Sequence, residues 1–188
     1  MRELALHLLD IAENSVAAQA RNITLTVIEN FATDRLHMSV ADDGKGMDAE
    51  MIERVVDPFV TSRTTRKVGL GIPLLKEAAE ACNGFLKITS TVGKGTTLVV
   101  EFQLSHIDRM PLGNLPDTIL SLVIAYPQIH WQFHYQVNDQ KFDFDDQLIK
   151  ETLDGVPLTE PDVLAYLREL LQTGVSEIKL ESDTKNFH

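Results

Sequence analysis

The stretch "VADDGKGM" (residues 40–47) decides how the chain is read. An acid, Asp42, leaves the end of a β-type run, and glycines follow at alternate positions, Gly44 and Gly46. A carboxylate fixed at a strand end accepts hydrogen bonds only, so it suits an exocyclic amine such as that of adenine. Glycines beside it let the backbone turn sharply and let a flat ligand come close. A plain Asp-Gly turn between strand and helix has the same local sequence. The choice between the two rests on what surrounds it.

Upstream, "ITLTVIE" (23–29) and "LHMSVA" (36–41) are β-branched or alternating runs around a polar turn, which predicts a hairpin. Before it, residues 3–20 have the spacing of an amphipathic helix. That helix contains "HLLDIAENSVAAQA" (7–20), where the helical period puts Asp10, Glu13 and Asn14 on one stripe. Carboxylates beside an amide either face solvent, or polarise a hydroxyl and hold a magnesium ion by oxygen. His7, one turn before Asp10, reads as a surface or capping histidine that could also orient Asp10.

Downstream, a short helix is expected near 48–56, then a loop, "DPFVTSRTTRKVGLG" (57–71). The loop gathers Thr61, Ser62, Thr64 and Thr65 with Arg63, Arg66 and Lys67, donors and charges suited to phosphate oxygens. Gly69 and Gly71 precede a helix near 71–82, whose first N–H groups make an anion site. Pro73 is tolerated in its first turn, and "NG" ends it. "FLKITS" (85–90) and "TTLVVEF" (96–102) form a second hairpin across the Gly-rich turn "GKGTT" (93–97).

This order of acid–Asn helix, DxGxG, Pro-Phe loop, GxG before a helix and GxGT resembles a known ATP-binding fold. Type II topoisomerases, the ninety-kilodalton heat-shock chaperone, sensor histidine kinases and mismatch-repair ATPases (the GHKL or Bergerat-fold family) share it. The resemblance covers about residues 3–104. It implies an α+β sandwich, with a mixed, largely antiparallel sheet covered by helices on one face. It implies ATP and Mg2+ as ligands, with Asn14 on the metal and Asp42 on the adenine amine. Gly44 and Gly46 then shape the pocket, and Thr61, Arg63, Arg66 and Lys67 belong to a lid over the phosphates. Gly69 and Gly71 match the lid's hinge glycines, and Thr96, after Gly93 and Gly95, supports adenine recognition. Asp10 stands where family ATPases carry a Glu base and histidine kinases usually an Asn; Glu13 is the second candidate base. The lid from Phe59 to Gly69 is short.

The fold begins at residue 3, without room for a phosphoacceptor hairpin before it. The acceptor is therefore expected on an unidentified partner protein or downstream, as in anti-sigma-factor kinases. The alternatives are an ATP-hydrolysing conformational switch and a nucleotide-sensing module without catalysis. The whole chain also resembles small stand-alone histidine-kinase-like proteins found near iron-only hydrogenase genes. The oligomeric state is left open.

Composition sets the remaining bounds. With 188 residues, 44% hydrophobic and 24% charged, the chain is globular. It lacks an apolar run of membrane-span length and a cleavable leader, and Cys82 is its one cysteine, which together favour the cytoplasm. A net charge of −11 argues against nucleic acid, while the knot of Arg63, Arg66 and Lys67 suits a small anion. Residues 105–188, which hold 14 acids against six bases, follow a Pro/Gly-punctuated connector and are expected to form a separate small α/β module. Helices near 117–126, 146–153 and 160–173 and strands at 129–137 and 140–145 are expected there. In "IHWQFHYQV" (129–137) alternation buries Trp131, Phe133, Tyr135 and Val137 and turns His130 and His134 outward. Residues four apart on a strand are roughly 13 Å apart, too far for two ligands of one ion. Asp143, Asp145 and Asp146 read as strand-exposed acids and a helix cap.

Overall fold

The computed structural model describes residues 3–57 and 71–185. Helix α1 (Leu4–Ala17) leads into the hairpin β1 (Asn22–Asn30) and β2 (Arg35–Asp42). Helices α2 (Ala49–Val56) and α3 (Gly71–Ala81) follow, then β3 (Phe85–Thr91) and β4 (Gly95–Gln103). The second half supplies α4 (Leu115–Ala125), β5 (His130–Val137), β6 (Gln140–Asp145), α5 (Asp146–Leu153) and α6 (Pro161–Lys185).

All six strands form one sheet in the order β3-β4-β2-β1-β5-β6. Every neighbouring pair is antiparallel except β1 and β5, which run parallel from Asn22↔His130 to Glu29↔Val137. Alternation decides which face is covered. Leu25, Val27, Leu36, Met38, Val100, Phe102, Phe133 and Tyr135 are all at most 1% exposed, while their strand neighbours are half-open. The helices therefore pack on one face, as the family resemblance implies.

Residues 105–188, expected as a separate small α/β module, share this sheet. Their two strands extend the first sheet from β1, and α4 and α6 add to the same apolar core. Alternation marks β5 as a half-buried strand but does not say which strand lies beside it. The connector also reaches back: Pro111 and Leu112 carbonyls accept the N–H groups of Leu4 and Ala5 at 3.0 and 2.8 Å. These satisfy donors that a helix start leaves without intrahelical partners, in a helix whose Glu3 provides no side-chain cap.

Helix α6 is longer than the sequence predicts. Gly174 does not end it; the Phe142 ring lies 2.2 Å from where a Cβ would stand. Tertiary packing explains that glycine.

Candidate functional site

The residues singled out on α1, at the end of β2 and at the start of β4 converge. Asp42 Oδ2 accepts from Ser15 Oγ at 2.6 Å. Its Oδ1 accepts from the N–H of Gly44 at 2.9 Å and of Thr96 at 3.2 Å. Three donors from three parts of the chain thus fix one carboxylate. Ser15 is buried and also reaches the Ile11 carbonyl at 3.4 Å.

The glycine motifs meet backbone to backbone. A Cβ on Gly95 would lie 1.9 Å from the Asp42 carbonyl oxygen, and one on Gly46 would lie 2.0 Å from that of Thr91. Both have positive φ, +104° and +66°. Ser90 closes the joint, accepting from Met47 N–H at 2.7 Å and donating to the Gly95 carbonyl at 2.9 Å. Its Oγ also lies 2.8 Å from Thr96 Oγ1. The sequence assigns Gly46 to a sharp turn and a close ligand and Gly95 to a hairpin turn; at both, the closest approach is that of the protein's own backbone.

Above this joint lies a cavity of about 330 Å³. Val40, Met47, Ile72, Ile88 and Leu98 give it apolar walls, and Asn14, Ser15, Asp42, Lys45 and Thr96 give it polar groups. Apolar walls with one fixed acceptor suit a flat heterocycle carrying an amine. Asn14 is exposed on the wall, and its amide makes no hydrogen bond to a described residue, so its oxygen fits a hard cation such as Mg2+.

The stripe of α1 divides. Asn14 lines the cavity; Asp10 is half-buried one turn away and does not line it. Glu13 turns toward α4, where it accepts from the Tyr126 hydroxyl at 3.3 Å. His7 departs from expectation: it is 3% exposed, and its Nδ1 has no hydrogen-bond partner among the described residues. Burial holds its pKa below the ordinary value, with Asp10 pulling weakly the other way. It stands on the buried side of α1 with Leu4 and Ile11.

Gly71 opens α3, with Pro73 in the first turn. Thr61, Arg63, Arg66, Lys67 and Gly69 lie outside the described residues. Sequence reasoning missed Ser15, Ser90 and Lys45. Ser90 carries a visible signal, a hydroxyl at an inward-facing position of an alternating strand.

In the second half, His130, Asp145 and Asp146 place ligand-type atoms within 4.8 Å of one another. Lys150 already fills the place of a cation there, with Nζ 2.5 Å from Asp146 Oδ2. Asp146 is buried, which pushes its carboxyl pKa up despite Lys150 and the Trp131 N–H. Asp145 caps α5 through the Gln147 N–H, as expected for one of these acids.

Residues 1–106 match the family model described as Histidine kinase-, DNA gyrase B-, and HSP90-like ATPase, and the chain belongs to that family. Membership supports ATP binding. Sensor histidine kinase AruS of Pseudomonas aeruginosa is 34% identical over 94 residues, covering 47% of this chain and 9% of that protein. Sensor histidine kinase ZraS of Salmonella typhi is 31% identical over 94 residues, covering 50% of this chain and 20% of that protein. The chain thus spans a fifth or less of these relatives. A solved structure described as the N terminal domain of a DNA repair protein superposes with a TM-score of 0.55 at 18% identity. It covers 76% of this chain and 52% of that one, a likeness of fold alone. Among the described residues no helix is long and apolar enough to cross a membrane.

Proposed function

We propose that this chain binds Mg-ATP in the cavity beside Asp42 and passes the γ-phosphoryl group to a partner protein in trans. The observation carrying the proposal is the triply held Asp42 carboxylate on an apolar cavity wall. As an acceptor it takes the adenine amine, while the apolar walls take the ring faces. Mg2+ on Asn14 would offset phosphate charge. Arg63, Arg66 and Lys67, with Thr61 and the hinge glycines Gly69 and Gly71, are assigned to the triphosphate. Asp10, or Glu13 in second place, is assigned to the acceptor's proton or to orienting an acceptor histidine. The acceptor attacks the γ-phosphorus, its bond to the β–γ bridging oxygen breaks, and ADP leaves.

One observation favours a second reading. Asp10 is a methylene shorter than the family's Glu and stands off the cavity wall. That suits a module that senses nucleotide without turning it over.

The test follows label from γ-labelled Mg-ATP with purified protein, with and without cell extract, beside Asp10→Asn and Asn14→Ala. Transfer to a protein in the extract, lost in both variants, supports the kinase. Label released as free phosphate supports an ATP-driven switch. Binding without either supports the sensor and overturns the kinase.

A further inference from the structure

His130 stands outside the family-matched region, yet its ring connects to the loop that follows Asp42. Its Nε2 lies 2.9 Å from Asp145 Oδ1, and its Nδ1 lies 2.9 Å from Asn22 Oδ1. Asn22 is oriented by its other end, where Nδ2 donates to Asp43 Oδ2 at 2.7 Å. Turning the amide over would set its oxygen against the Asp43 carboxylate. Both ring nitrogens therefore face oxygen acceptors, and only the imidazolium, with a proton on each nitrogen, satisfies both contacts.

Each end of the chain of bonds is anchored. Asp43 Oδ1 accepts from the N–H groups of Arg21 and Asn22 at 2.7 and 2.9 Å, tying the start of β1 to the residue after Asp42. Asp145 also accepts from Gln132 Nε2 at 3.1 Å and caps α5. The charged groups around His130 are Asp145 on β6, the Asp146–Lys150 pair on α5, and Asp43, reached through Asn22. The His130 side chain is 23% exposed, so protons reach it from solvent.

We propose that protonated His130 is a positioning residue. It couples the α5 end of the C-terminal half, through Asn22 and Asp43, to the geometry of the nucleotide-binding loop, and makes that loop pH-responsive. The inference rests on the reading of Asp42 as the adenine acceptor. Loss of the proton leaves one nitrogen lone pair facing an oxygen, and either Asn22 or Asp145 is released. Release of Asn22 leaves its amide unoriented and Asp43 held by the Arg21 and Asn22 N–H groups alone, so the loop after Asp42 loosens and adenine nucleotides bind more weakly at high pH than at low.

The test uses the full chain and MgADP. Calorimetric affinities are measured from about pH 5.5 to about 8.5, the span in which histidine titrates, for wild type, His130→Gln and Asp145→Asn. Affinity of the wild type falls roughly fivefold with rising pH, a typical coupling between linked sites. His130→Gln loses that step and stays at the weaker level, and Asp145→Asn reduces it. A second measurement needs no nucleotide: the amide resonances of Asp43 and Gly44 in the wild type follow the His130 ring protons with one common midpoint. Equal pH profiles in wild type and His130→Gln, or amides that ignore the His130 titration, overturn the proposal. If no ADP binds at any pH, the assignment of the nucleotide site fails, and the amide titration alone still decides the coupling.

Discussion

Ser15 and Asp42 are joined across 2.6 Å, from the hydroxyl of a helix to the carboxylate at a strand end. The bond crosses from α1 to β2 at the cavity wall, so the acid assigned to the adenine amine does not choose its own rotamer.

Ser15→Ala is expected to weaken MgADP binding about tenfold, the cost of one hydrogen bond to a charged group. Asp42→Asn should abolish binding, because its amide offers a donor where adenine also donates. Calorimetry on both variants checks this. A Ser15→Ala protein with wild-type affinity would mean that the N–H groups of Gly44 and Thr96 suffice.

The joint between the glycine motifs should behave as a steric lock. Gly95→Ala and Gly46→Ala each push a methyl into a carbonyl oxygen at positive φ, and each should cost over about 3 kcal/mol. Gly93→Ala is the control: its φ is +77°, but nothing lies within 4 Å of the added carbon. It should cost only about 1 kcal/mol of backbone strain. Urea unfolding separates the cases.

How much of this could be read from the chain follows from distance along it. Asp42, Gly44 and Gly46 are legible because one turn's chemistry fits in eight residues. Asn14 is legible because helical period puts it beside Asp10. Placement of β5 against β1 is not, since a parallel pair 108 positions apart has no local signature and Trp131 and Phe133 fit any half-buried strand. Asp146 looks like one more exposed acid until packing buries it against Lys150. His7 is the instructive miss, for its spacing from Leu4 and Ile11 already put it on the buried stripe; residue type outweighed position.

Because burial lowers the His7 pKa, the unfolded chain binds a proton there more readily than the folded one. This group's contribution to stability is therefore complete above about pH 6.5, the unfolded value. It is lost as the pH falls from there through the lower folded-state value. His7→Leu should remove that slope from urea midpoints measured between neutral and mildly acidic pH. It should not destabilise the protein at neutral pH, since it removes a buried ring nitrogen that has no partner among the described residues. An unchanged slope would place the acid sensitivity elsewhere.

A fragment ending at residue 106 retains the family-matched region but strips β1 of its parallel partner and α1 of the Pro111 and Leu112 carbonyls. It is expected to show no cooperative urea transition, while the full chain shows a single one. A cooperative fragment would mean that the second half is an independent addition to a finished domain.

The parallel pairing of β5 on β1 also governs how this molecule can be joined by others. A nucleotide domain that ended at β1 would carry a long unpaired strand there, an invitation to any extended segment passing by. Here the chain seals that border with its own later residues, and the described strands leave open borders only at β3 and β6. Recruitment by strand addition is thereby moved to the far ends of the sheet. One of them, β6, ends in Asp145, so a visitor paired along that strand would arrive beside the helix cap and the imidazole that lead inward to Asp43.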